Sequence, residues 1–193
     1  MMKTIGFVFA SVGVVVAAMA AAPPVPTQAA TTSAQQQARL AARRAVTMPY
    51  QKIHSVQGVA AGFSDPATKK IWVTALNATG AADAAEAGFR LAAISVSAAM
   101  PGATVKATFD VQAVTDQVTL KLYAGDITDP GASGWASTTV SSAASNVQLT
   151  TNAFTLQPGK SYVVTAVALV RPDATADKAA HAVVRLTDLK WEF

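Results

Sequence analysis

A two-residue repeat of apolar side chains restricts the fold of this chain more than any other feature. Within residues 104–112 the apolar side chains fall on odd positions: Val105, Ala107, Phe109 and Val111. Residues 117–124 repeat the alternation on even positions, with Val118, Leu120, Leu122 and Ala124. Only a strand with one face in a core and the other in water requires this pattern. Two half-buried strands are therefore predicted, and residues 113–116 between them are short enough for a hairpin.

Further strands are predicted on both sides of this pair. Their expected spans are 71–76, 88–97, 135–142, 146–156, 161–171 and 181–193. No segment with a helical period lies between them, which argues against a parallel α/β sheet. About eight strands at this spacing are typical of a sandwich or jelly roll. The predicted fold class is all-β, an antiparallel two-layer sandwich with a buried set of Val105, Phe109, Val111, Leu120 and Leu122.

The segments between and before these strands have weaker signals. Residues 50–70 contain the turn signal Ser64-Asp65-Pro66 and are predicted to be irregular. Residues 77–87 are expected to form a loop or a single helical turn. In the last strand the apolar residues change parity at Thr187–Asp188, and a β-bulge there would bring both sets onto one face.

The first 22 residues have the layout of a secretory signal. Lys3 is followed by an uncharged apolar run, residues 4–22, that contains small residues spaced Ala-x-Ala and precedes two prolines. A helix of this length would rise about 28 Å, so an uncleaved anchor in contact with a membrane is the alternative. The expected organisation is a signal or anchor at 1–22, a linker and short basic helix at 23–48, and a sandwich domain at 49–193.

Charge is unevenly distributed along the chain. Residues 1–79 carry a formal charge of +6 and residues 80–193 carry −2. Nucleic-acid binding by the β domain is therefore not expected, because phosphate neutralisation needs a basic face. The basic stem is either a solvated helix or a contact to an anionic surface. Cysteine is absent, which excludes disulfides and thiolate metal sites.

From about Gly88 to Phe193 the chain resembles the jelly-roll β-sandwiches of carbohydrate-binding modules and related phage-appendage domains. The similarity lies in the order of three segments: Val-Thr-Leu-Lys-Leu-Tyr at 118–123, a strand, Pro-Gly turn and Tyr-led strand at 154–164, and a closing strand at 184–191. The resemblance implies a jelly-roll fold. It implies either glycan binding or a role as a spike, fibre tip or decoration domain on a particle.

Trp135 is the candidate ligand-binding residue, because glycan binding needs an aromatic face flanked by planar polar groups. It directly follows a turn-rich loop, and Asp126 and Asp129 lie nearby in sequence. The alternative is that Trp135 folds inward as a core plug. Trp191 shares its parity with Leu189 and is expected in the core.

A structural calcium ion would require six to eight oxygen ligands, and loop carboxylates are its usual source. In the resembling modules an aspartate of the last strand often binds such an ion, which points to Asp188 as a possible metal ligand. The alternative is that the loop aspartates cap turns through the backbone.

Catalytic residues are not evident. The two histidines, His54 and His181, and the two glutamates, Glu86 and Glu192, have no partner that the sequence places beside them. The favoured hypothesis is a non-enzymatic extracellular binding or adhesion module whose partner is a glycan or cell-surface polymer. The alternative is a structural subunit of a surface assembly or virion, whose partners are its neighbouring subunits.

Overall fold

The computed structural model describes residues 47–54, 59–76, 83–128, 132–172 and 179–193. All regular structure in these ranges is β-strand: β1 Thr47–His54, β2 Val59–Asp65, β3 Lys70–Leu76, β4 Ala84–Ser95, β5 Met100–Thr115, β6 Val118–Asp126, β7 Ala132–Val140, β8 Ala144–Thr150, β9 Phe154–Leu156, β10 Ser161–Val170 and β11 Ala179–Glu192. These ranges hold no helix long and apolar enough to cross a bilayer. The predicted leader lies outside them, as does the predicted stem up to residue 46.

The strands form two antiparallel sheets. Sheet A has the order β1-β4-β10-β6-β7, and sheet B has the order β2-β3-β11-β5-β8, with β9 paired to β5 beside that path. The inward side chains of both sheets join one hydrophobic core. The all-β class predicted from the alternating pattern is confirmed.

The core contains the residues that the alternation predicted. Phe109, Leu120 and Leu122 are fully buried, and the other two members of the predicted set, Val105 and Val111, are also buried. Trp191 is also buried there. The bulge predicted at Thr187–Asp188 is present as a shift of the β11–β5 register between Leu186 and Asp188. It returns the end of β11 to the inward face.

The strand pairings nest around one connection. β6 pairs with β7, β5 with β8, β4 with β10, and β3 with β11. Each of these pairs encloses the previous one along the chain, so β3 to β11 form one long hairpin folded across two sheets. β1 and β2 extend it, beside β4 and β3 respectively.

The hairpin predicted at 113–116 is wrong. β5 and β6 lie in different sheets, and the connection between them crosses from sheet B to sheet A through Asp116, whose φ is +72°. Alternation shows that each strand buries one face, but it does not specify the sheet to which the strand belongs.

The irregular segment predicted at 50–70 is also wrong, because β1 and β2 form there. Both are edge strands, whose outer side needs no apolar pattern. The loop predicted at 77–87 ends earlier than expected, since β4 begins at Ala84, and residues 77–82 lie outside the described ranges.

Gly88 of β4 lies against the backbone of β10. A Cβ atom at this position would lie 2.0 Å from the carbonyl oxygen of Ala166 and 2.6 Å from the Cα of Val167. Backbone atoms in a ladder cannot move aside without breaking its hydrogen bonds. The absence of a side chain at Gly88 therefore sets the spacing of the two central strands of sheet A.

Gly88→Ala is expected to lower the free energy of unfolding by about 3 kcal/mol or more, the upper end of what overpacking costs. Gly102→Ala is the matched control, because its Cβ meets nothing within 4 Å. It should lose only about 1 kcal/mol, from its positive φ. Urea unfolding followed by circular dichroism measures both, and equal losses would contradict the close approach at Gly88.

Candidate functional site

The outward face of sheet A arranges side chains from all five strands in rows. On β10, Val164, Ala166 and Ala168 join the core, so the intervening side chains point away from it. The register places Arg90, Thr165, Tyr123 and Trp135 in one row across β4, β10, β6 and β7. The next row contains Tyr50, Gly88, Val167, Lys121 and Ser137.

The side chains at the centre of this face are excluded from solvent although they point away from the core. Thr165 and Val167 are 1% and 0% exposed. The Arg90 Nε donates to the Thr165 hydroxyl at 3.2 Å, and the Arg90 guanidinium lies 4.8 Å from the centre of the Tyr50 ring. Burial, and then a hydrogen bond with Tyr50, raise the pKa of Tyr123 well above its ordinary value. The phenol therefore stays neutral.

Trp135 lies at the edge of this face and is 62% exposed. Its backbone N–H donates to the Asn152 Oδ1 at 2.9 Å, and its backbone carbonyl accepts the backbone N–H of Asn152 at 3.4 Å. The preceding Gly134 packs so closely on Phe154 that a Cβ would lie 2.5 Å from the ring. Trp135 is therefore not a core residue. Its backbone is held by hydrogen bonds, and its indole is exposed to water.

A pocket of about 480 Å³ opens on the same face, within the range of ligand sites. Its lining includes Leu169 and the polar side chains of Lys52, His54, Glu86, Lys121 and Arg171. The Lys121 ammonium lies 3.3 Å from a carboxylate oxygen of Glu86. The fold thus places His54 and Glu86 at one pocket, although they are 32 positions apart in the sequence.

Asp126 lies on the opposite parity from Trp135. Its neighbours of the same parity in β6 are core residues, and its side chain is 5% exposed. One carboxylate oxygen accepts both the backbone N–H and the hydroxyl of Thr128, and the other lies 3.0 Å from the Lys160 ammonium. The carboxylate thus fixes Thr128, two residues beyond it in the chain. Asp129 lies outside the described residues.

Asp188 is an exposed residue at the bulge of β11. Its carboxylate lies 3.7 Å from the Lys190 ammonium. Among the described residues no group of three or more His, Asp or Glu side chains is placed to hold a metal ion. A calcium site at Asp188 stays a prediction from the resemblance alone.

Sequence reasoning missed the pocket because it missed β1. Tyr50, Lys52 and His54 alternate along that strand and share its outward side. This two-residue period was the available signal. It went unrecognised because the alternating residues are polar and aromatic rather than aliphatic.

No protein family model matches this chain, and no curated protein is significantly similar to it.

Asp126→Asn should destabilise the protein in a pH-dependent way. The Thr128 N–H, followed by the Lys160 ammonium, lowers the pKa of Asp126 below its ordinary value of 3.8. The unfolded chain therefore binds this proton at higher pH than the folded protein. The stabilisation is present above about pH 4 and is lost as the pH falls through the lowered pKa. The unfolding free energies of variant and wild type should therefore converge in acid.

Denaturant titrations across the acidic range measure this convergence. Asp188→Asn is the matched control, since its carboxylate is exposed. It should change stability little at any pH. A difference between Asp126→Asn and wild type that stays constant down to the lowest pH would contradict the assignment.

Proposed function

We propose that this chain is a non-enzymatic, exported binding module that holds a glycan on the outward face of sheet A. The observation that carries the proposal is the exposed indole of Trp135 on a fixed backbone. Tyr123 lies opposite it in the register, and the lined pocket opens on the same face. The secretory layout of residues 1–22 supports a location at the cell surface or beyond it.

A sugar ring presents C–H groups on one side, which pack on the face of an indole. Stacking on Trp135 would remove apolar surface from water without requiring a change in the core. The hydrogen bonds that the Trp135 backbone N–H and carbonyl make with Asn152 limit the loss of backbone freedom on binding. Exposure alone does not identify a site, but exposure together with a fixed backbone and neighbouring polar groups favours one.

We infer that the fold is a jelly roll, as the sequence resemblance implied. The nested pairings of β3 to β8, β10 and β11 support this inference, since a long hairpin wrapped across two sheets gives that order. Many unrelated functions use this architecture, so the fold is compatible with glycan binding and does not select it.

The pocket favours ligand binding over glycoside hydrolysis because its described lining has a single carboxylate. Hydrolysis by the usual route needs two carboxyl groups facing the scissile bond. Glu86 is the one carboxylate among the described lining residues, and it is paired with Lys121. The lining is therefore suited to holding a ligand.

Trp135→Ala should weaken retention on a bound polysaccharide by about 1–3 kcal/mol, by analogy with the stacking of bases on aromatic side chains. Affinity electrophoresis on a broad set of polysaccharides measures retention. Phe63→Ala is the matched control, because Phe63 is 59% exposed but lies in sheet B. It should leave retention unchanged.

Retention that survives in Trp135→Ala would remove this residue from the site. Equal losses in Trp135→Ala and Phe63→Ala would indicate non-specific adsorption. If no polysaccharide retains the wild-type protein, the glycan proposal fails. Circular dichroism confirms that each variant is folded.

A second candidate function is that of a subunit in a surface assembly or virion. The outward face of sheet B carries an exposed Phe63 whose ring centre lies 5.5 Å from that of Trp72. Val183 continues this apolar row on β11. Contact between copies or with a neighbouring subunit would cover such a row.

For this candidate, Phe63→Ala should reduce self-association at least severalfold, because a central aromatic side chain carries much of an interface's energy. Sedimentation velocity over a range of concentrations measures the association. Trp135→Ala now serves as the control and should associate like the wild type. A wild-type protein that is monomeric at every concentration would count against association of this face with itself.

A further inference from the structure

We propose that the pocket on sheet A binds the carboxylate of an acidic saccharide, such as a chain of hexuronic acids. This inference rests on the proposed glycan function and specifies the class of glycan.

The charges of the lining point to an anionic ligand. Lys121 and Glu86 form an ion pair and offset each other. Lys52 and Arg171 line the same pocket and make no ion pair with another described residue. Asp83, which directly precedes β4, is fully buried and has its own interaction. The described lining thus carries an excess of two positive charges.

Lys52 and Arg171, which have no ion-pair partner among the described residues, lie at different strands of the pocket. Lys52 lies on β1, and Arg171 directly follows β10, with β4 between these strands. Lys52 is level with Leu169 in the register, so the backbone positions of Lys52 and Arg171 are about 12 Å apart, two strand spacings across and two residues along. A guanidinium binds a carboxylate through two parallel hydrogen bonds, and an ammonium adds a point charge. A carboxylate between these groups would gain from both.

The pocket is continuous with the stacking surface. Lys121 lines the pocket, and two residues later Tyr123 lies opposite Trp135. The backbone positions of Lys121 and Trp135 are therefore about 8 Å apart, one strand spacing across and two residues along. Exposed Ser137 and Thr139 follow Trp135 on the same side of β7 and offer hydroxyls. One saccharide chain can thus contact both places.

A saccharide fits this arrangement better than a nucleic acid. A phosphate backbone repeats its charge at every residue and needs a continuous basic track. Here the excess cations surround one pocket, and the guanidinium of the Trp135 row, Arg90, is stacked on Tyr50. A carboxylate on a chain with neutral hydroxyls matches one charged pocket beside an aromatic platform.

The test compares oligogalacturonate with the same oligosaccharide after complete methyl esterification, which removes the charge and keeps the rings. Calorimetry at low salt should give the wild type at least about tenfold higher affinity for the free acid, and high salt should reduce the preference. Combining Lys52→Gln with Arg171→Gln should abolish it. Arg185→Gln, at an exposed arginine of sheet B, is the control and should keep it.

The outcomes separate the two proposals. Equal affinity of the wild type for both probes, or a preference that survives in the double variant, overturns the acidic-saccharide inference and leaves the glycan proposal standing. Retention of neutral polysaccharides but of no acidic one would also overturn the acidic-saccharide inference and leave the glycan proposal standing. A thymidine oligonucleotide that competes on equal terms with oligogalacturonate also overturns it, since the pocket would then be a general anion site. No retention of any saccharide ends both proposals.

Discussion

Burial on both faces of β10 is the constraint on which sheet A depends. Ala166 and Ala168 contribute to the core, while Thr165 and Val167 are buried on the other side. The backbone of β4 approaches β10 closely at Gly88, because this residue has no Cβ to meet the β10 backbone. The tight pairing brings Tyr50, Arg90 and Tyr123 together above the strand. The centre of the outward face is therefore ordered and excluded from solvent.

The candidate site is a product of strand register rather than of a local motif. Lys52, Lys121 and Arg171 come from three distant parts of the chain and lie around one pocket because β4 and β10 hold β1 and β6 at fixed distances. Trp135 belongs to the same surface through its pairing with Tyr123. If one of these strands shifted by one residue against its neighbour, its outward side chains would turn to the core side. The proposed binding site and the stability of the fold therefore depend on the same backbone pairings.

The sequence was most informative where a strand buries one face with large apolar side chains. Phe109, Leu120 and the bulge at Thr187–Asp188 could be predicted because a core requires that spacing. Prediction from the sequence failed at β1, an edge strand whose alternating residues are polar or aromatic. It also left Trp135 undecided, because β7 is an edge strand whose alternating pattern is weak. The two-residue period of β1 could have revealed that strand, but the register between strands distant in sequence is not written in any local pattern, so the pocket could not be predicted even with β1 recognised.

The nested pairings have a consequence for the order in which the protein folds. Among the nested pairs only β6–β7 joins consecutive strands, and each further nested pair must close a longer loop, up to β3 with β11 across more than a hundred residues. The entropy of each closure is lost before its contacts form, so we expect the chain to fold slowly and from the middle outward. β11 lies between β3 and β5 in the centre of sheet B, and we expect it to be the last of the nested strands to pair. Until it arrives, the edges of β3 and β5 stay open to any strand that reaches them, including one from another copy.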